Sequence, residues 1–350
     1  MRGVSSLTDQ FWSRVFDADV KGGEPQPIGD GLVGANFRVA LSSVAGHVPA
    51  SVVAKMPSAD EKSRGAGVAM RTYEREAKFY SEIAGTVDVR RPQCHHSEYD
   101  QSSADFVLVL EDLAPAEQGN QILGCGHEHA RSAVRELARL HGPRWNDPRL
   151  ADHEWLQRRS STQDAETLSS IYNMFVEPFL GQFATYLSAD QTDLAARFAA
   201  CVVSWVEGRG SVWTVTHGDY RLDNLMFGTA AGGPTVAVVD WQTIGHGPGA
   251  TDLAYFLGGG VTPDLRRSVE RTLITEYLDA LSVYGVAYSV DDAWRDYVHE
   301  SFAGVIMSVV ASQLVAHTER GEKMFAAMAT RHLQHALDLE ALSSVARGVV

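Results

Sequence analysis

The residues most suited to chemistry lie in His217-Gly-Asp219-Tyr-Arg221-Leu-Asp-Asn224 and, further on, in Val-Val-Asp240-Trp-Gln. Asp219 and Asn224 stand five positions apart on what reads as one loop. A carboxylate that close to an amide oxygen suits transfer of a phosphoryl group. One group orients a hydroxyl and accepts its proton, oxygen ligands hold magnesium on the phosphates, and cations neutralise the spreading charge. Asp and Asn oxygens match hard Mg²⁺. Two short apolar strands around Gly-Thr-Ala-Ala-Gly-Gly-Pro form a hairpin that carries the chain from Asn224 to Asp240.

These groups need elements to position them. FRVAL and SVVAKM read as strands, the second carrying Lys55. MRTYEREAKFYSEIA has helical spacing, with Tyr73, Ala77 and Tyr80 on one face and Glu76 within it. FVLVLEDL is an apolar run of strand length that ends in acids. DEKSRGAG reads as a polar loop. The remainder is mainly helical, over about 160–186, 193–208, 263–284, 291–315 and 321–345. Gly29, Gly31 and Gly34 satisfy G-x-G-x-x-G. A dinucleotide fold requires a helix next, whereas FRVAL follows, so a loop over nucleotide phosphates or a plain glycine hairpin fits better.

The Asp-x4-Asn loop followed by a strand-borne Asp resembles protein kinase-like enzymes. HGD, and DWQ in place of DFG, resemble the aminoglycoside phosphotransferase and choline kinase-like superfamily. HGDYRLDNLMF, AVVDWQ and GPGATDLAYFL resemble its branch of ecdysteroid kinase-like proteins and the kinase domains linked to hydroxyacyl-CoA breakdown. The resemblance covers nearly the whole chain and is strongest over residues 217–257.

It implies an α+β, bilobal protein kinase-like fold. The β-rich N-lobe would be residues 1–114, the hinge about 111–118, and the mainly helical C-lobe 115–350. It also implies ATP and Mg²⁺ as cofactors. Asp219 matches the catalytic base, and Asn224 and Asp240 match the magnesium ligands. Lys55 matches the lysine on the α- and β-phosphates, and Glu76 its helix partner, with Glu74 a nearby competitor. Backbone groups near Glu111 and Leu113 match the adenine-binding hinge. Arg221 falls where a cation meets the γ-phosphate, with a structural role as the alternative. His217 is expected to orient the loop by bonding to backbone or to Asp240. Asp252 either caps the helix that follows or anchors the catalytic loop.

Composition sets outer bounds. The chain has 350 residues, 45% of them apolar and 21% charged, with a net charge of −14. That balance disfavours nucleic acid and anionic membrane as partners. Three cysteines without C-x-x-C spacing fit a reducing cytoplasm. No secretory h-region opens the sequence, and the apolar run at 302–316 is too short to span a membrane. Cys94-His95-His96 reads as a loop cluster lacking a second half, and His127 with His129 is not H-E-x-x-H.

Asp252 follows Asp240 within twelve residues, which leaves no room for a protein-substrate platform. The acceptor is therefore expected to be a small-molecule hydroxyl. Residues 145–190 hold Trp145, Trp155, Tyr172, Met174, Phe175, Phe179, Phe183 and Tyr186 with only scattered acids. That composition favours an apolar or lipid-like alcohol, or a hydroxyacyl-CoA met by Arg144, Arg149, Arg158 and Arg159. An aminoglycoside-resistance kinase and an inactive nucleotide-binding module are the alternatives. The intact Lys55, Asp219, Asn224 and Asp240 set argues against the inactive one.

Overall fold

The computed structural model describes residues 3–29, 34–43, 48–156, 158, 160–210, 212–315 and 318–345. The strands are β1 (Val20–Gly22), β2 (Gln26–Ile28), β3 (Gly34–Ser43), β4 (Ser51–Pro57), β5 (Cys94–Asp100), β6 (Asp105–Glu111), β7 (Glu117–Gln118), β8 (Trp213–Thr216), β9 (Leu225–Thr229), β10 (Gly232–Val238) and β11 (Gly245–Pro248). The helices are α1 (Asp9–Phe16), α2 (Glu61–Ala69), α3 (Thr72–Lys78), α4 (His127–His141), α5 (Thr162–Gln182), α6 (Ala189–Phe198), α7 (Val202–Glu207), α8 (Gly249–Gly260), α9 (Pro263–Ser282), α10 (Val290–Glu300), α11 (Phe302–Leu314), α12 (Glu319–Asp338) and α13 (Leu342–Val345). They form two compact units, one of residues 1–116 with 228–244 and one of 117–227 with 245–350. The segment 228–244 thus packs with the first unit, where the Val238 amide bonds to the Arg90 carbonyl, although sequence order placed it in the C-lobe.

In the first unit an antiparallel sheet runs β1-β3-β4-β6-β5, with β2 also on β3. Strand alternation sends successive side chains to opposite faces. Val52, Ala54 and Met56 of β4 therefore join Val39, Val107, Val109 and the α1 residues Phe11 and Trp12 in one core layer. Lys55 takes the other face. There Tyr73 and Ala77 of α3 pack on Phe106, Leu108 and Leu110. DEKSRGAG is a helix rather than a loop, because Asp60 caps α2 by accepting from the Ser63 amide at 2.8 Å. Cys94-His95-His96 opens strand β5 on β6, with a register shift at His96.

The second unit is mainly helical. Tyr172 and Phe179 of α5, with Phe183 beyond it, pack with Phe198, Trp205, Phe302 and Phe325 in one core. Phe198 and Phe302 stack with centroids 4.0 Å apart. The expected 291–315 helix divides into α10 and α11 around Ser301, and 193–208 into α6 and α7. Among the described residues no helix is long and apolar enough to cross a membrane.

The triple glycine that ends α8 has a packing reason. A Cβ on Gly258 would collide with the His335 ring, and one on Gly259 or Gly304 with His332. Both imidazoles are fully buried, and none of their nitrogens has a hydrogen-bond partner among the described residues. Burial, then nearby Arg331 and Arg266, pushes His332 down to about 3, while burial and Arg266 hold His335 well below the usual histidine range.

The unfolded chain therefore gains protons below pH ~6.5 that the folded chain refuses, so stability is lost as pH falls from there. Each imidazole contributes up to about 1.4 kcal/mol per pH unit. Denaturant titrations of wild type and His335→Gln between pH 6 and 4.5 should give a slope shallower by about that amount in the variant. Equal slopes would remove His335 from the acid sensitivity.

Candidate active site

In the first unit the central charge is the Lys55 ammonium. Its Nζ lies 2.9 Å from Glu76 Oε1, 2.7 Å from Glu76 Oε2 and 2.9 Å from Asp240 Oδ1.

 The sheet register carries Lys55 to this face, opposite Asn36 on β3 and Leu108 on β6. Helical spacing places Tyr73, Glu76 and Ala77 on one side of α3. The apolar pair seats the helix on the sheet, and the carboxylate between them meets the ammonium. Burial opposes the charge on Lys55, but Asp240 and Glu76 outweigh it and hold its pKa above the usual lysine range. Glu74, the competitor, pairs instead with Arg71 at 2.7 Å and Lys78 at 3.2 Å.

Asp240 adopts a left-handed backbone, φ 66°, that a non-glycine residue takes only when its surroundings hold it there. Two contacts do so. Trp241 stacks on Phe79 with centroids 3.8 Å apart, and its amide donates to Glu76 at 3.4 Å. Lys55, Glu76 and Asp240 together carry one net negative charge, and the Asp240 side chain remains 39% exposed. An exposed carboxylate in a net-negative cluster fits a hard divalent cation. A Cβ on Gly34 would sit 3.3 Å from the Met56 carbonyl and 3.6 Å from Lys55 Cε, so a side chain at this position would crowd the Met56 carbonyl and touch the lysine stem. Gly29 has φ +68°, while Gly31 lies outside the described residues.

At the expected hinge, the Glu111 amide donates to the Gln93 carbonyl at 2.8 Å, and the Leu113 carbonyl accepts from Ala116 at 2.9 Å. The Glu111 carboxylate is held by Arg90 at 2.7 and 2.9 Å.

In the second unit Asp219 sits in a loop pinned from below by Asp252. That carboxylate accepts from the His217 amide at 2.6 Å and the Gly218 amide at 2.9 Å, so Asp252 anchors the loop; it is not the cap of α8, which begins at Gly249 without a side-chain cap. His217 Nδ1 accepts from the Asp219 amide at 3.3 Å, which orients the loop through backbone. Asn224 Nδ2 donates to the Asp219 carbonyl and to Asp219 Oδ2, both at 2.9 Å.

Arg221 lies among carboxylates, as its structural alternative requires. Its Nε lies 3.1 and 3.0 Å from the two Asp219 oxygens, and its Nη1 donates to Asp223 at 2.8 Å. Burial opposes its charge, but Asp219 and then the other acidic groups raise its pKa above the ordinary arginine value. A guanidinium committed to two carboxylates serves to hold the loop. Asp223, not singled out from the sequence, is buried and also accepts from the Gln121 amide at 2.9 Å and from Arg320 at 3.0 Å. Tyr255, likewise missed, donates to Asp219 Oδ1 at 2.8 Å. Its signal was present in DLAYFL, where a polar tip interrupts an apolar helix.

In the expected acceptor segment Tyr172, Phe179 and Phe183 are core residues, and Trp155 is buried. Met174 and Tyr186 are exposed. Arg144 and Arg149 both pair with Asp147, Arg158 lies over the Trp213 ring, and Arg159 is outside the described residues. Among the described residues there is no group of three or more His, Cys, Asp or Glu side chains that could hold a metal.

The sequence matches the family model described as the ecdysteroid kinase-like family over residues 29–284. No curated protein matches it. Among solved structures, choline kinase from Cryptosporidium parvum Iowa II is similar at TM-score 0.55 and 12% identity, over 95% of this chain and 91% of that one. Plasmodium vivax ethanolamine kinase is similar at 0.54 and 11%, over 87% and 80%. Wild-type aminoglycoside 2'-phosphotransferase-IIIa, in its GDP complex, is similar at 0.52 and 12%, over 97% and 99%. These likenesses establish the fold as the α+β, protein kinase-like one.

The two glutamates of α3 can be told apart by stability. Glu76→Ala leaves a buried ammonium short of a partner and should cost about 3 kcal/mol in a urea titration. Glu74→Ala releases partners that are half exposed and should cost less than about 1 kcal/mol. Equal losses would mean that Glu76 has no privileged role.

Proposed function

The chain belongs to the ecdysteroid kinase-like family, and from that premise we propose that it moves the γ-phosphate of ATP to a hydroxyl of a small molecule. The observation that carries this reading is the pair of prepared charge clusters, Lys55–Glu76–Asp240 in one unit and Asp219–Arg221–Asn224 in the other. Lys55 is preorganised to bind phosphate oxygens, since its ammonium is already oriented and desolvated. Asp219 accepts the proton of the attacking hydroxyl, and its carboxylate is held in one orientation before substrate arrives. The Asp240 carboxylate is the group the first unit offers to Mg²⁺, and the Asn224 amide oxygen the one the second unit offers; the metal, when bound, would supply charge neutralisation on the phosphates. The Glu111 carbonyl and Leu113 amide are assigned to the adenine edge, and Gly29, Gly31 and Gly34 to the phosphates. Nucleotide binding is supported by the GDP complex of the aminoglycoside phosphotransferase that shares this fold.

The acceptor is an alcohol without an array of positive charges. Both carboxylates within the catalytic loop already have a guanidinium: Asp219 has Arg221, and Asp223 has Arg221 and Arg320. A polycationic acceptor would have to compete with them, whereas an uncharged or lipid-like alcohol would not. The hydroxyacyl-CoA alternative loses Arg144 and Arg149 to Asp147. The three cysteines are free thiols, which suits a cytoplasmic setting.

Asp219→Asn should lower turnover by about 100-fold or more while ATP affinity stays close to wild type. Near-normal turnover in a folded variant would displace Asp219 from the chemistry. Calorimetry with and without magnesium should show that Asp240→Ala loses the metal's enhancement of ATP binding, and an undiminished enhancement would place the metal elsewhere. Hydroxylated apolar compounds should raise the melting temperature by binding the folded state, and aminoglycosides should not. The reverse pattern would favour the resistance-kinase reading.

A further inference from the structure

Asp219 has three side-chain donors, and they are not equivalent. Arg221 Nε spans both carboxylate oxygens, and Asn224 Nδ2 takes Oδ2. Both donors lie within five residues of Asp219 on the same loop, so they travel with it. The third is Tyr255, whose hydroxyl donates to Oδ1 at 2.8 Å from α8, 36 residues away in sequence. Among the described residues it is the one side chain from outside the loop that fixes which way the carboxylate faces.

Tyr255 is itself held rigidly. It is 4% exposed and belongs to the main core of the second unit. Its ring stacks on His332 with centroids 5.2 Å apart and planes 13° apart. His332 on α12 is fully buried and pressed against Gly259 and Gly304, whose missing side chains make its room. The stack leaves the phenol little freedom, and the hydroxyl is aimed by packing on two helices rather than by the loop it contacts.

We propose that Tyr255 is a positioning residue for the reaction, setting the rotation of the Asp219 carboxylate from the helical core. The proposal rests on the phosphotransferase reading above. It differs from a purely structural role, in which the phenol merely finds an acceptor for a buried hydroxyl. A structural role predicts lost stability, whereas positioning predicts lost turnover at preserved affinity.

The test compares Tyr255→Phe with Tyr172→Phe. Tyr172 is an equally buried tyrosine whose hydroxyl donates to the Ala195 carbonyl at 2.9 Å, away from the loop. The probe is magnesium-ATP with water as acceptor, followed by ADP release, together with thermal melting. Tyr255→Phe keeps the ring and its stack. It should lower kcat by about tenfold or more, the loss expected for one hydrogen bond to a charged group, with the KM for ATP within about twofold of wild type. Tyr172→Phe should lower the melting temperature and leave kcat unchanged. A Tyr255→Phe enzyme with wild-type kcat overturns the proposal, as does one whose kcat falls only in step with a loss of folded protein. Should the wild-type protein release no ADP, that result counts against the phosphotransferase reading, and a crystal structure of Tyr255→Phe decides the present question. A rotated Asp219 carboxylate supports the positioning role, and an unmoved one overturns it.

Discussion

A lysine ammonium with 7% of its surface exposed cannot remain charged without carboxylates beside it. That constraint organises the first unit. Lys55 faces α3 because strand alternation gives the opposite face to Val52, Ala54 and Met56. The helix must then present an acid at the same point where Tyr73 and Ala77 seat it on the sheet, and Glu76 is the residue in register. The second carboxylate arrives from 185 residues away, and it arrives in a left-handed conformation that the Trp241–Phe79 stack helps to hold. Sheet register, helix docking and the return of residues 228–244 to this unit all converge on one ammonium.

The second unit solves the same problem with more members. Asp223 is 3% exposed, and it is tolerated because Arg221, Arg320 and the Gln121 amide surround it. Asp252, 1% exposed, is satisfied by two backbone amides of the catalytic loop, with His141 Nε2 3.3 Å away. Removing any one partner from such a network leaves a buried group unsatisfied, so the network specifies a single loop conformation. Tyr255 couples this loop to the helical core, and the glycines at 259 and 304 admit His332, the ring that backs it.

Large parts of this were legible in the residues themselves. β3, β4 and β6 follow from apolar runs of strand length, and α3 from the recurrence of Tyr73, Ala77 and Tyr80. The chemical types at Lys55, Glu76, Asp219, Asn224 and Asp240, taken in order along those elements, pointed to phosphoryl transfer. What local pattern missed has local causes. α2 lacks an apolar stripe and depends on its Asp60 cap, while β5 is only half-buried along its length, so neither carries a strong periodic signal.

What the sequence determined by itself was periodicity and chemical type, because both are properties of neighbours along the chain. Which face of an element meets which partner was decided only by the tertiary structure. Glu74 and Glu76 differ by two positions, yet one meets Arg71 and Lys78 at the surface and the other a buried lysine. Arg221 had a phosphate and a carboxylate within its repertoire, and Asp223 and Asp219 claimed it. The aromatics of 145–190 had the composition of a pocket, and Tyr172, Phe179 and Phe183 went to the core because α11 and α12 offered them more apolar surface to bury. Such choices rest on contacts between residues far apart in sequence, and their energies depend on burial, which no local spacing encodes.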